Sequence, residues 1–483
     1  MPVPSRSLPL AGLLLVAALA IRAVQFGNPV LHVDEQYYLL VGDRIWHGAW
    51  PYSEYWDRKP VGLFLIYAAI RALPGDGVLA YQIVATFFAA ATAFVIQRIA
   101  ARIAPAGAAT GAALLYLVML MANGGDGGQS PVFYNLPVAV AAWCVLHGVE
   151  RGRVFAFGCV AMALFGLALQ IKYSALFEGV YFGVVLLLLV RGGGVGRRAA
   201  MAAAWIALAL APTVVALLVY LAAGRGDAFV FANFISVFQR PPSVDGDAPG
   251  RLARIAVHVL PLAIPAAIAL ARPGRWQGAP VERRIIAGWL IAAVAGVIVF
   301  GTYHDHYALP LLVPLAVVAA PVLAVRRLGP VIGIGAALAG GVMATTTIAD
   351  RRAMRGTGAH VRAIAERVGP CSDCLYVFSG DPVLYLLTGA TPPTRWVFPT
   401  FLSETRDTGS LGFDVRDELR RILAAAPRYV VTRDYPFAEA DPAAWRVMQA
   451  GLSAHYRPVL AQRVGRRTIL LYERQSRSTA PKP

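Results

Sequence analysis

Two adjacent carboxylates near the N-terminus, Asp34 and Glu35, are the strongest candidates for chemistry in this sequence. They belong to the run His32-Val-Asp34-Glu35, which closely follows a long apolar stretch. A carboxylate is costly beside hydrocarbon, so this placement favours a function such as general base catalysis. An acid also suits the start of a helix, here predicted over 35–47, because it interacts well with the helix dipole. Spacing alone leaves both interpretations open.

More polar and aromatic residues follow in the same loop. This segment reads Glu54-Tyr55-Trp56-Asp57-Arg58-Lys59-Pro60. Lys59 opens a short apolar run, where its ammonium could contact a lipid phosphate or simply snorkel to the membrane surface. Tyr37 and Asp57 are candidates for contacts with a sugar or an acceptor.

Two later cations, Lys172 and Arg240, are predicted at the outer ends of apolar stretches. The chain has 41 Arg and only 3 Lys, so a position that keeps Lys is of interest. Lys172 lies where the fifth and sixth stretches meet, and Arg240 follows the aromatic run that contains Phe234 and Phe238. An ionisable residue such as Lys172 at membrane depth is a functional candidate, and the loop that carries Arg240 could lie along the membrane surface and meet an isoprenoid tail. Snorkelling and an amphipathic interfacial helix fit them equally well.

A short outer loop contains His304, His306 and Tyr307. The spacing of the two histidines is not the usual helical ligand spacing, and no Cys or acid cluster joins them locally. A metal site is therefore disfavoured here, and contacts with a sugar or phosphate are the better prediction. Asn135, near the start of the fourth apolar stretch, is a further candidate for such contacts.

The composition indicates the elements that must hold these residues. The chain has 483 residues, 58% of them hydrophobic and 15% charged, with a formal net charge of +17. These values exclude an ordinary soluble enzyme and a disordered chain. We predict eleven membrane spans, since most of the apolar stretches approach the ~20 residues that a helix needs to cross a bilayer. They lie at about 8–26, 78–97, 107–122, 135–149, 154–171, 174–190, 199–222, 252–271, 285–301, 308–325 and 329–348.

The positions of the charges predict the orientation. If the apolar run at 60–73 is an interfacial helix rather than a span, one face holds 14 basic residues and two acids, Glu150 and Glu282. By the positive-inside rule that face is cytoplasmic. The N-terminus is then cytoplasmic, and the C-terminus and a first outer loop at about 27–77 lie outside. The basic charge therefore marks membrane topology and not a nucleic-acid partner.

The tail, residues 350–483, differs in kind from the membrane part, residues 1–349. Its ordinary polarity predicts a small exoplasmic α/β domain. Helices are predicted at 361–368 and 415–425, and strands at 375–378, 429–432, 459–461 and 468–472. Cys371 and Cys374 precede the first strand, so a local structural disulfide is favoured over a redox site.

With these residues in place, the sequence resembles the GT-C fold glycosyltransferases, in particular the group with protein O-mannosyltransferases and the lipid A aminoarabinose transferase. The matching positions are Asp34-Glu35, Lys59-Pro60, Lys172, Gln239-Arg240 and His306-Tyr307-Ala-Leu-Pro310. Val61 departs from the common second Pro. Asn135 stands where an acid often begins the fourth span, and Asp126 is a possible substitute.

The resemblance implies an inverting transfer of a sugar from a polyprenyl-phosphate donor to a hydroxyl of a lipid, glycan or protein acceptor. Asp34 would be the general base, Glu35 would position Asp34 or the sugar, and Lys59, Arg240 and Lys172 would bind the donor phosphate. No cofactor is required, although a divalent cation is possible. The expected location is a bacterial inner membrane, with the active site and tail in the periplasm. A transporter or flippase with an outer cap, and a glycan polymerase or ligase with a diphosphate-linked donor, stay as alternatives.

The predicted topology is tested by labelling a single cysteine. We expect Gly75→Cys, with Cys144 and Cys159 replaced by serine, to react with a membrane-impermeant maleimide in intact spheroplasts, because 27–77 lies outside. Gly274→Cys, in a predicted cytoplasmic loop, should react only after permeabilisation. Labelling of Gly75→Cys only after permeabilisation would contradict the span count.

Overall fold

The computed structural model describes residues 7–192, 194–239, 247–301 and 303–475. Within these ranges the chain forms a large helical bundle followed by a four-stranded sheet with flanking helices. The helices are α1 (Ser7–Arg22), α2 (Val33–Trp46), α3 (Val61–Arg71), α4 (Val78–Ala100), α5 (Ala106–Ala122), α6 (Ser130–Glu150), α7 (Val154–Leu169), α8 (Ala175–Leu189), α9 (Val195–Ala222), α10 (Gly226–Val230), α11 (Ala248–Ala271), α12 (Pro280–Phe300), α13 (Leu312–Leu323), α14 (Leu328–Arg355), α15 (Ala359–Val368), α16 (Val383–Thr388), α17 (Thr405–Thr408), α18 (Val415–Ala425) and α19 (Pro442–His455). The strands are β1 (Leu375–Val377), β2 (Tyr429–Arg433), β3 (Tyr456–Val464) and β4 (Arg467–Arg474).

Each of the eleven apolar stretches contains a helix. Six helical segments of the described chain are long and apolar enough to cross a membrane. They are Ser7–Gln25, Val78–Ala100, Ser130–Glu150, Val195–Ala222, Ala248–Ala271 and Leu328–Val368. Several of the others, such as α13, are shorter apolar helices. The protein is therefore a multi-helix membrane protein, and the count of eleven crossings stays a prediction.

The first outer loop folds as two helices, α2 and α3, packed closely together. A Cβ on Gly42 of α2 would lie 2.6 Å from the Tyr67 carbonyl carbon of α3. At the start of α3, the Leu63 amide donates a hydrogen bond to the Gln170 carbonyl (3.1 Å). These contacts bring α2, α3 and the connection between α7 and α8 together. They explain how Lys172 comes near residues of the first loop.

The C-terminal sheet has the strand order β1-β2-β4-β3. Strands β1 and β2 are parallel, and the other neighbouring pairs are antiparallel. A strand is present at each of the four predicted positions, and helices α15 and α18 lie at the two predicted helical positions. The disulfide predicted between Cys371 and Cys374 is present just before β1.

The predicted division of the chain at residue 350 needs correction. Helix α14 continues without a break from Leu328 to Arg355, so that division falls inside a helix. The polar residues from Asp350 to Arg355 are the end of this helix. We therefore call residues 356–475 the C-terminal segment.

The C-terminal segment packs directly against the first outer loop. The Trp56 amide donates to the Arg395 carbonyl (3.0 Å), and the Trp56 ring lies 4.8 Å from the Trp396 ring, centroid to centroid. Next to it, Arg58 donates to the Asp407 carboxylate (3.1 Å). Burial of large aromatic rings contributes strongly to such interfaces. The segment is thus part of the structure around the loop that carries Asp34.

The close packing of α2 on α3 predicts a large effect of one methyl group. Gly42→Ala should lower the free energy of unfolding by about 1–3 kcal/mol, because the new Cβ meets backbone atoms that cannot move aside. Gly107→Ala in α5 is the matched control, since a Cβ there meets nothing within 4 Å. Thermal unfolding in detergent measures both. Equal midpoints for the two variants would contradict the packing.

Candidate active site

Six of the sequence-predicted residues line a cavity of about 490 Å³ at the end of the bundle that meets the C-terminal segment: Asp34, Asp57, Lys59, His304, His306 and Tyr307. The cavity is bounded by both the membrane part and the C-terminal segment. Its lining comes from segments 32–34, 57–59, 251–254, 304–307, 351–355 and 398–407. The size is within the range of small-molecule sites.

Asp34 is held in the first turn of α2 with its carboxylate at the cavity. Its Oδ1 accepts a hydrogen bond from the Tyr38 hydroxyl (3.1 Å), one helical turn later, and its Oδ2 accepts one from Gln129 (3.4 Å). Lys59 Nζ lies 4.0 Å from Oδ1. Burial alone would raise the pKa of the Asp34 carboxyl, but the charge of Lys59 holds it well below its usual range. Asp34 is therefore an ionised carboxylate at neutral pH.

Lys59 and Asp57 lie in the segment just before α3. The Lys59 carbonyl accepts a hydrogen bond from the Tyr52 hydroxyl (2.8 Å), which fixes the backbone there. Asp57 also lines the cavity, and its carboxylate accepts a hydrogen bond from the Arg58 amide (2.6 Å). Burial raises the pKa of Asp57, against the effect of Lys59. The structure thus brings Asp34, Asp57 and Lys59 together at one cavity.

Glu35 is adjacent to Asp34 in sequence but does not line the cavity. Its side chain is fully buried, and its carboxylate forms no ion pair and no hydrogen bond of normal geometry among the described residues, although the Tyr81 hydroxyl and the Gly128 amide lie close enough to favour its ionised form. The backbone at Gly127 approaches it so closely that a Cβ would clash with the carboxylate. Burial, and then the charge of Asp126, raise the pKa of Glu35 to about 8. Glu35 is therefore largely protonated at neutral pH and cannot act as a base there.

Asp126 is the centre of a buried polar network beneath the cavity. Its carboxylate accepts hydrogen bonds from Gln25 (2.8 Å) and Arg351 (2.7 Å) and lies 3.1 Å from His32 Nε2. Burial opposes ionisation, but Arg351 holds the pKa of Asp126 well below its usual range. Arg22 donates to the Gly127 carbonyl (2.7 Å) in the same loop. This network fixes the loop beside Glu35.

Sequence reasoning gave Asp126 only a minor place and missed Arg351. The available signal was an acid surrounded by four glycines, Asn-Gly-Gly-Asp-Gly-Gly, in an outer loop. Arg351 lies 225 residues later in the chain, where no local pattern connects it with Asp126.

The turn that contains His304, His306 and Tyr307 forms another wall of the cavity. Lys172 Nζ lies 4.1 Å from the centroid of the Tyr307 ring and borders a small adjoining cavity. Burial, and then the charge of Lys59, lower the pKa of Lys172 to about 7. Tyr307 lines both cavities, whereas Lys172 lines the small one.

Two of the predicted contact residues are not at the cavity. Tyr37 is fully buried, and its hydroxyl donates to the Trp56 carbonyl (2.8 Å). Asn135 is also buried and donates to the Leu309 carbonyl (3.0 Å). These bonds hold neighbouring loops together and do not fit the direct sugar contacts that the sequence predicted. Arg240 lies outside the described residues.

No metal centre is evident in the described part of the chain. It contains no group of three or more His, Cys, Asp or Glu side chains placed to hold an ion. His304 and His306 stack on each other with ring centroids 5.9 Å apart, and Tyr307 packs against both.

Comparison with solved structures identifies the fold. The chain is similar to ArnT from Cupriavidus metallidurans bound to undecaprenyl phosphate, with a TM-score of 0.63, 15% identity, and 96% of this chain and 97% of that chain covered. The apo structure of the same protein gives a TM-score of 0.62 at 15% identity, with 97% and 98% covered. The chain has an ArnT-like GT-C fold. No family model and no curated protein sequence matches the chain.

The raised pKa of Glu35 predicts a pH-dependent stability. The folded state holds a proton at Glu35 that the unfolded state releases near pH 4.5. The stability of the folded state relative to the unfolded state therefore falls as the pH rises from about 4.5 to about 8. Glu35→Gln resembles the protonated form. We expect it to raise the thermal midpoint by several degrees at pH 9 and to change it little at pH 5. An equal effect at both pH values would contradict a protonated Glu35.

Proposed function

We propose that this protein is a membrane glycosyltransferase that moves a sugar from a polyprenyl-phosphate donor to the hydroxyl of an exoplasmic acceptor. The observation that carries the proposal is the pair of Asp34 and Lys59, 4.0 Å apart at the edge of a cavity at the outer end of the bundle. An ionised carboxylate beside a cation suits a reaction in which a proton leaves one substrate while negative charge develops on the other. The full-length similarity to a protein with bound undecaprenyl phosphate supports the same class of donor.

In this mechanism the acceptor hydroxyl attacks the anomeric carbon of the donor sugar, and the configuration there inverts. Asp34 takes the hydroxyl proton as the new glycosidic bond forms. The bond between the anomeric carbon and the phosphate oxygen breaks, and the electron pair leaves with the phosphate. Lys59 is the cation that pairs with Asp34 among the described residues, and it stabilises this charge, with Arg240 and Lys172 as further phosphate-binding candidates. Protonated Glu35 cannot compete for the proton, and it supports the first turn of α2 behind Asp34.

The residues around the cavity assign further contacts. Asp57, His304, His306 and Tyr307 line it and are proposed to contact the sugar or the acceptor. The acceptor, whether lipid, glycan or protein, would enter from the outer side, in keeping with the predicted periplasmic orientation. We assign no required cofactor to the reaction.

A transporter or flippase is the main alternative of another class. Such a protein would need ionisable residues along a path at the middle of the bilayer. The ionisable residues described above gather instead at the outer ends of the helices, around Asp34 and Asp126. A glycan polymerase or ligase would use a diphosphate-linked donor, whose leaving group carries more charge.

The decisive test is turnover by the purified protein. Wild-type enzyme in detergent, given a panel of polyprenyl-phosphate sugars and candidate acceptors, should release polyprenyl phosphate. Asp34→Asn should lower turnover by about 10²–10⁴-fold or more, because the amide cannot accept the proton. Asp417→Asn, on an exposed helix of the C-terminal segment, is the matched control and should retain wild-type turnover.

The outcomes separate the alternatives. Wild-type-like turnover by a correctly folded Asp34→Asn would remove the base assignment. Turnover with diphosphate-linked donors alone would favour the polymerase or ligase. Transport of the lipid without release of phosphate would favour the flippase.

A further inference from the structure

The residue that follows the Asp34-Glu35 pair, Gln36, is bound by the C-terminal segment. Its amide nitrogen donates to Asp381 Oδ1 (3.0 Å), and its amide oxygen accepts from the Val383 backbone amide (3.4 Å). Both ends of the Gln36 amide are therefore held by one short stretch between β1 and α16. Gln36 is 2% exposed and Asp381 is 7% exposed, so water does not compete for these bonds.

This attachment lies on the opposite side of α2 from the reacting carboxylate. Successive residues of an α-helix are about 100° apart, so Gln36 projects about 200° from Asp34. Asp34 thus faces Lys59 while Gln36 faces the C-terminal segment. A shift of α2 at Gln36 would move Asp34 relative to the cavity.

The same helix is fixed at its other end by the same segment. In the last turn of α2, Arg44 donates to the Ala390 carbonyl (2.8 Å), just after α16. Helix α2 is therefore attached to the region around α16 at both ends. On another side, the close approach of Gly42 to Tyr67 of α3 limits its movement.

Asp381 is itself positioned by His360 of α15. His360 Nε2 lies 3.1 Å from Asp381 Oδ2, so each carboxylate oxygen has one partner, Gln36 on one side and His360 on the other. Just before α15, Gly358 packs against Pro29 so tightly that a Cβ would lie 2.5 Å from the proline ring. Helix α15 therefore contacts the chain a few residues before Asp34.

From these contacts we infer that Asp381 and His360 are positioning residues for the general base Asp34, acting through Gln36. The inference rests on the proposed function, because it assigns the C-terminal segment a part in the transfer reaction. Asp381 touches neither the cavity nor a reacting group. It holds the helix on which the base is carried, and an error of about 1 Å in such a position can cost about 100-fold in rate.

The experiment compares turnover and helix protection in a small set of variants. Asp381→Ala should lower kcat about 10- to 100-fold with the donor KM changed less than about twofold, because the base is displaced while the donor site is intact. Asp381→Asn should restore most of kcat, since its side-chain oxygen can still accept from Gln36. The double variant with Gln36→Ala and Asp381→Ala should have a kcat no lower than that of the slower single variant, because both substitutions remove the same contact.

Hydrogen exchange provides a readout that does not depend on activity. The backbone amides at the start of α2 should exchange at least about tenfold faster in Asp381→Ala than in wild type. Asp414→Ala is the matched control in the same segment: Asp414 caps α18, pairs with Arg416 and is far in the sequence from any contact with α2. It should alter neither kcat nor α2 exchange.

The results distinguish this inference from the proposed function. If wild-type protein transfers no sugar, the proposed function fails, and exchange in α2 still tests the attachment. If wild type is active but Asp381→Ala keeps full kcat, or α2 protection is unchanged, the inference is wrong while the function stands. The inference would also be overturned if the losses of kcat in the double variant were additive, or if Asp381→Asn restored none of the kcat lost in Asp381→Ala.

Discussion

The structure depends on how carboxylates are accommodated in buried positions beside a membrane. An isolated buried charge is very costly, so each acid needs a cation, hydrogen bonds or a proton. Asp34 has Lys59 and the Tyr38 hydroxyl, and Asp126 has Arg351. Glu35 has no paired cation among the described residues, and burial raises its pKa to about 8. Two neighbouring acids thus receive different charge states from different surroundings.

Meeting this requirement brings distant parts of the chain together. The partners of Asp126 come from the ends of α1 and α14, and the partners of Asp34 come from α2 itself and from loops before α3 and α6. Helix α14 then passes directly into the C-terminal segment, which returns to contact Trp56, Arg58 and Gln36. The C-terminal segment is therefore part of the structure that surrounds the site, although its amino-acid composition is that of an ordinary α/β protein.

Burial also explains which predictions of individual residues failed. Tyr37 and Asn135 are polar residues near the right loops, and a pattern of residue types cannot distinguish a ligand contact from a buried bond to a carbonyl. Both donate hydrogen bonds to backbone carbonyls, as buried polar side chains commonly do. Asp126 and Arg351 show the reverse case, because their importance depends on a contact between residues far apart in the chain.

The sequence alone determined the apolar helices, the positions of the four strands and the disulfide, and it placed Asp34 and Lys59 in one loop. These features follow from composition, local periodicity and short spacing, which are properties of neighbouring residues. Only the tertiary structure decided that Glu35 is buried without a paired cation among the described residues, that Lys172 and Asp34 contact Tyr307 and Lys59 respectively, and that Asp381 holds Gln36. Protonation and positioning depend on burial and on long-range contacts, and these exist only once the chain has folded.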